Sequence, residues 1–155
     1  MSALISPCGK YRYRLSREWA NSPKAAFIML NPSTADAEID DPTIRRCIGF
    51  SSAFGYGGIV VGNLFAWRAT EPSALKEVAD PIGPSNDSHL AKIISDAPLV
   101  ICAWGTAGNL YGRDREVLRM IRDAGKVPHC LRVTKGGHPS HPLYLSATLK
   151  PVPLA

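Results

Sequence analysis

Three short runs of unbroken apolar residues constrain this chain more than any other feature: Ala25 to Leu30 (AAFIML), Ile59 to Phe65 (IVVGNLF) and Leu99 to Trp104 (LVICAW). A strand with one face in water alternates apolar and polar residues. An unbroken run of this length, closed by turn residues, reads as a strand buried on both faces. A fourth strand is predicted over Cys130 to Thr134. An earlier one is expected where Tyr11, Tyr13 and Leu15 alternate with Arg12, Arg14 and Ser16, half buried and at an edge.

Helical signals fill the gaps between the runs. Asp41-Pro42 suits an N-cap followed by the first helical position. Ile44, Cys47, Ile48 and Phe54 then recur at helical spacing up to Gly55. A short helix is predicted around Ser73 to Val78, and another, capped by Asn86 or Asp87, through Ile94. Thr106 to Ala124 is read as largely helical with a break at Gly112, and Pro142 to Leu149 as a final short helix. Gly62 inside the second run signals a close backbone approach.

Strands alternating with helices imply βαβ crossovers. The expected fold is therefore α/β, three layers (α/β/α) around a central, mainly parallel, four-stranded sheet. The 155 residues suit one domain, with residues 151–155 a loose tail. No basic, apolar leader or membrane-length apolar run is present, so a cytoplasmic protein without a membrane partner is expected. Cysteines 8, 47, 102 and 130 form no Cys-x-x-Cys pair and read as reduced core residues; neither a metal nor a cofactor is expected. The net charge of +5, spread along the chain, leans towards an anionic partner.

In parallel α/β sheets, ligands bind beyond the carboxyl ends of the strands. Here those ends carry the polar residues. The first run is followed by Asn31, Pro32, Ser33, Thr34, Asp36, Asp40 and Asp41. The second holds Asn63 and leads to Arg68 and Thr70, and the third leads to Gly105 and Thr106. The fourth leads to Lys135-Gly136-Gly137-His138-Pro139-Ser140-His141. A buried amide is costly without partners, so Asn63 among apolar residues calls for one. His138 lies among glycines and prolines, in a turn rather than a core. Trp67 and Trp104 could serve as stacking platforms or as packing.

These motifs resemble the uracil-DNA glycosylase superfamily over about 110 residues, Phe27 to about Leu145. Met29-Leu30-Asn31-Pro32 is similar to its first motif, and Val60 to Ala69 to its base-reading strand. Leu99 to Gly105 is similar to its third strand, and His138-Pro139-Ser140 with Leu143 to its second motif. The sequence resembles still more closely an uncharacterised domain-of-unknown-function family of bacteria and phages with a Leu-Asn-Pro-Ser-Thr-Ala-Asp signature, here residues 30–36, which implies no activity.

The first resemblance implies a glycosylase acting on a flipped base in DNA or a nucleotide. It implies that Asn63 reads the base and that His138 donates to a base carbonyl. It places Asn31 where water is positioned, and Ser33 and Ser140 at flanking phosphates. It makes Leu143 the wedge filling the vacated stack, and Arg68, Lys135 and Arg45 phosphate partners. Asn31 cannot act as a base, so Asp36, Asp40 or Asp41 would supply the carboxylate. Ser33 stands where uracil-specific members carry Tyr, which implies tolerance of modified or bulky bases. Two other readings stay open: a non-catalytic nucleobase, nucleotide or nucleic-acid binder on the same pocket, and a different hydrolase or transferase using His138, His141 and an aspartate, with or without a metal.

Overall fold

The computed structural model describes residues 2–33 and 35–154; Thr34, part of the signature above, lies outside them. The elements run β1 (Ser2–Ile5), β2 (Arg12–Glu18), β3 (Lys24–Met29), α1 (Pro42–Ala53) and β4 (Gly58–Asn63). They continue with α2 (Asn86–Asp96), β5 (Val100–Cys102), α3 (Arg113–Asp123), β6 (Pro128–Cys130) and β7 (Val152–Pro153). Short 3-10 segments cover Pro72–Glu77 and Thr106–Gly112. No helix among the described residues is long and apolar enough to cross a membrane.

The protein is α/β, but its sheet has seven strands, in the order β1-β2-β4-β3-β5-β6-β7. The three long apolar runs become β4, β3 and β5, mutually parallel, with β6 parallel beside β5. The expectation of four strands is corrected at both edges. β1 and β2 add antiparallel to β4, and β7 adds antiparallel to β6. β2 is therefore interior and β1 takes the edge. The tail expected to be loose is held, with the Leu154 amide donating to the Pro128 carbonyl at 2.8 Å. The last parallel strand is Pro128–Cys130, ahead of the predicted Cys130–Thr134. Residues 142–149 form turns instead of a helix.

Two cores lie on opposite faces of the sheet. Ile44, Cys47 and Phe50 of α1 pack with Phe27, Ile59, Val61 and Ile101. Leu90, Ile93 and Ile94 of α2 and Val117 and Ile121 of α3 pack with Ile28, Val60 and Cys102. Gly62 is needed here, since a Cβ would meet Leu90 at 2.8 Å and Ile93 at 3.0 Å. Asp41 caps α1, its Oδ1 accepting from Ile44 N at 2.9 Å. The cap expected of Asn86 or Asp87 is replaced by Ser85, which gives no side-chain bond. Asn86 instead turns inward and donates to the carbonyls of Asn63 (3.0 Å) and Leu64 (3.1 Å). Cys47, Cys102 and Cys130 are buried; Cys8 is exposed, contrary to the core reading.

Candidate functional site

From β3 the chain moves through α1 to β4 on one side, and from β5 through α3 to β6 on the other. β3 and β5 are adjacent, so their outgoing loops part in opposite directions. A crevice at such a switch point is the standard ligand position in open α/β sheets. A cleft of about 490 Å³ opens there. Its walls are the loop after β3 (Asn31, Pro32, Ser33), the start of α1 (Asp41 to Ile44), Asn63 at the end of β4, and Trp104 to Ala107 after β5. His141 and Leu143 contribute from the loop after β6, and Arg12 from β2.

The polar groups of this cleft are unusually bare. Six buried side-chain nitrogen or oxygen atoms among the described residues have no hydrogen-bond partner, and four belong to three residues of the cleft wall: Arg12 Nε, Trp104 Nε1 and both ends of the Asn63 amide. Asn63 is 1% exposed and Arg12 3%. Buried polar groups are nearly always paired, and an unpaired one costs about 1–3 kcal/mol. Three such residues around one opening make this cleft the candidate site. A second hollow, of about 320 Å³, lies on the α2 side among Arg14, Glu18, Lys24 and Asp96. It has none of these unpartnered atoms.

Local geometry explains each placement. Asn63 follows Ile59 and Val61 on the α1 face of β4, and it pairs in register with Met29. Trp104 is fixed by Gly108: a Cβ there would lie 2.1 Å from the indole Cδ1. Arg12 owes its position to a β-bulge. Leu4 pairs with Arg14 and Ile5 with Arg12, so Tyr13 is passed over. The extra residue reverses the alternation expected for Tyr11 to Ser16 and turns Arg12 inward. Its guanidinium donates to the Ala35 carbonyl at 2.9 Å. Burial lowers its pKa to about 10, with Asp41 opposing and Arg68 and Arg17 adding to the effect; it remains charged at neutral pH.

Of the residues picked out in the sequence, the cleft gathers Asn31, Pro32, Ser33, Asp41, Asn63, Thr70, Trp104, Gly105, Thr106, His141 and Leu143. Asn31 is engaged, its Nδ2 donating to the carbonyls of Ala69 (2.8 Å) and Pro32 (3.2 Å). Asp36, His138, Ser140, Arg68 and Lys135 are not among the lining residues. The Asp36 carboxylate accepts from the amides of Glu38 (2.9 Å) and Ile39 (2.8 Å), which holds its pKa below the usual range. His138 sits in a tight hairpin closed by Thr134 N to His138 O at 2.7 Å. Ser140 N is bound to Arg132 O at 2.8 Å, and Lys135 is exposed. Arg68 reaches the Gly9 carbonyl at 3.4 Å. Arg45 reaches the Asp40 carbonyl at 3.2 Å, and the Asp40 carboxylate pairs with Arg17 Nε at 2.7 Å. Trp67 packs edge-on against Tyr11.

Arg12 is a lining residue that the site reading of the sequence left out, and His141 entered only through the hydrolase or transferase reading. Nothing in the residue pattern announces the bulge that brings in Arg12. His141, three residues after His138, lines the cleft. Its Nδ1 accepts from Leu143 N at 3.2 Å, which leaves Nε2 to carry the proton of the neutral ring. Burial lowers its pKa against a weaker opposing effect of Asp41. Next to Leu143, which is half-buried, Tyr144 is 94% exposed with φ +71°, a conformation rare for a bulky residue. Among the described residues, no group of three or more His, Cys, Asp or Glu is placed to hold a metal ion.

A family model described as "Protein of unknown function (DUF1643)" matches residues 12–143. Comparison with curated proteins and with solved structures finds no match.

Proposed function

The chain belongs to the DUF1643 family of proteins of unknown function, and for this member we propose cleavage of an N-glycosidic bond, with the base held in the cleft by Asn63. The single observation that carries the reading is the Asn63 amide, buried yet unpartnered at both ends among the described residues, on the wall of an open cleft. A carboxamide offers a donor and an acceptor side by side, which matches the edge of a nucleobase. Trp104 adds an aromatic wall with a free N–H. The similarity of the strand-end motifs to those of uracil-DNA glycosylases supports the same reading.

Bond cleavage needs a proton acceptor for water and a hydrogen-bond donor for the departing base. Asp41 is the carboxylate of the cleft. Its Oδ1 serves the α1 cap, and Oδ2 is left to accept the proton of a water attacking C1′. As the C1′–N bond breaks, its electron pair passes to the base. The base leaves as its anion, held by a hydrogen bond from Nε2–H of a neutral His141, which keeps its proton, and the anion is protonated by solvent after release. These roles fall to Asp41 and His141 because Asp36 and His138 do not line the cleft. Leu143 and Tyr144 form a hydrophobic tip beside the cleft, suited to the gap left by an extruded base.

A binding role without cleavage is the second reading. It is favoured by the commitment of Asp41 to its cap and of Asn31 to Ala69 and Pro32. Release of free base from oligonucleotides containing uracil and modified pyrimidines, read by chromatography, decides between them. Asp41→Asn keeps a good N-cap and should lower release by about 100-fold or more at unchanged melting temperature. Wild-type protein that binds these substrates but releases no base supports the second reading; wild-type protein that binds none of them contradicts both.

A further inference from the structure

We propose that Arg12 receives a phosphate of the ligand, so that the cleft takes a nucleotide in preference to a free base or neutral nucleoside. This rests on the nucleobase reading of Asn63 and names the other half of the same ligand.

Three arginines are buried among the described residues, and two are neutralised. Arg17 pairs with Asp40 through Nε at 2.7 Å and donates to the carbonyl of Ser16 at 3.0 Å. Arg113 pairs with Asp87 and donates to Leu64 O at 2.8 Å. Among the described residues Arg12 has one carbonyl, that of Ala35, and a buried Nε with no partner. No carboxylate lies within 4.0 Å of it among the described residues. Burying a cation without a counter-charge is costly, and a fold tolerates it where a ligand supplies the anion.

The charges around Arg12 are mixed: Asp41 acts on it as an opposing negative charge from beyond ion-pair distance, and Arg68 and Arg17 add positive charge. A guanidinium presents several donors in one plane, which matches phosphate oxygens. The bulge at Tyr13 makes this a built feature of β2, since without it Arg12 would face the other side of the sheet. Arg12 and Asn63 lie on neighbouring strands and line the same cleft, so a base on one and a phosphate on the other fit a single small molecule. A nucleoside monophosphate and a strand backbone both carry this group.

The test is calorimetric titration of the full chain with deoxyuridine, deoxyuridine 5′-monophosphate, inorganic phosphate and a short uracil-containing single strand. The monophosphate should bind wild type about tenfold or more tighter than the nucleoside. Arg12→Met should bring that ratio close to one without weakening the nucleoside, and Asn63→Leu should weaken both alike. Equal binding of nucleoside and monophosphate to wild type overturns the inference and leaves the base reading standing. So does a ratio that survives Arg12→Met. Phosphate that binds wild type but not Arg12→Met, with no binding by the nucleoside, sinks the base reading and keeps the anion site. Silence from all four ligands sinks both. Should Arg12→Met fail to fold, Arg12→Gln takes its place, since it keeps an amide donor for the Ala35 carbonyl and removes the charge; a preference that it leaves undiminished overturns the inference. An Arg12-dependent preference for the strand over the monophosphate assigns a backbone phosphate; the reverse assigns a terminal one.

Discussion

The end of β4 is flanked by two groups of polar residues that use the same side chains in opposite ways. On the α2–α3 face, Asn86 donates through Nδ2 to the carbonyls of Asn63 and Leu64, with its Oδ1 alone unpartnered among the described residues, and Arg113 donates to Leu64 and pairs with Asp87. These side chains finish hydrogen bonds that the strand end would otherwise lack. On the α1 face, among the described residues, Asn63 has no partner at either end of its amide, and Arg12 has a free Nε and no carboxylate within 4.0 Å. One asparagine and one arginine hold the fold together; the other pair lines an opening. Burial alone therefore does not separate a structural polar residue from a ligand-binding one. The separation comes from counting what each donor and acceptor already holds.

If this contrast is real, substitutions on the two faces must differ in kind. Arg113→Met removes a buried donor from Leu64 and the partner of Asp87, and should lower stability by about 3 kcal/mol in urea unfolding. Gly108→Ala drives a Cβ into the Trp104 indole. It should cost about 2 kcal/mol and deform the cleft, seen as a shifted tryptophan fluorescence. Asn63→Leu removes an unpaired amide, and Arg12→Met gives up one hydrogen bond to Ala35 together with an uncompensated buried charge, so each should leave stability within about 1 kcal/mol of wild type. A loss as large as that of Arg113→Met would dissolve the comparison.

Acidification sharpens it further. The His141 pKa is lowered in the fold, so the unfolded chain takes up the proton first. The stability held by neutral His141 is complete above the ordinary histidine value of about 6.5 and is lost as pH falls from there through the folded value. His89, lowered by burial beside Tyr13 and by Arg14, acts in the same direction. His141→Gln should flatten the fall in melting temperature below about pH 6.5 without removing it, because His89 remains. The smallest change in the fold should come from Ser33→Tyr. It fills part of the cleft and should narrow the range of bases accepted, with ligand selectivity as the readout.

Much of the framework was legible in the residues. Three unbroken apolar runs became the parallel strands, Asp41-Pro42 became the α1 cap, and Gly62 marked where α2 presses on the sheet. Asn63 stood out because an amide in an apolar strand has to be explained. The edges were hidden for physical reasons. β1 and β7 are short and gain their order from pairing, and β6 opens on a proline whose carbonyl serves β7. The two histidines of the last loop could not be told apart by sequence, because each sits before a proline and only the hairpin from Thr134 to His138 decides which one faces the cleft. The bulge that turns Arg12 inward left no mark at all.

The most direct measurement follows the side-chain amide resonances of Asn63 and Asn86 by nuclear magnetic resonance while deoxyuridine 5′-monophosphate is added. The account predicts that the Asn63 amide shifts in a saturable way as it gains partners, while the Asn86 amide stays where it is. An Asn63 resonance that does not move although the ligand binds would contradict it.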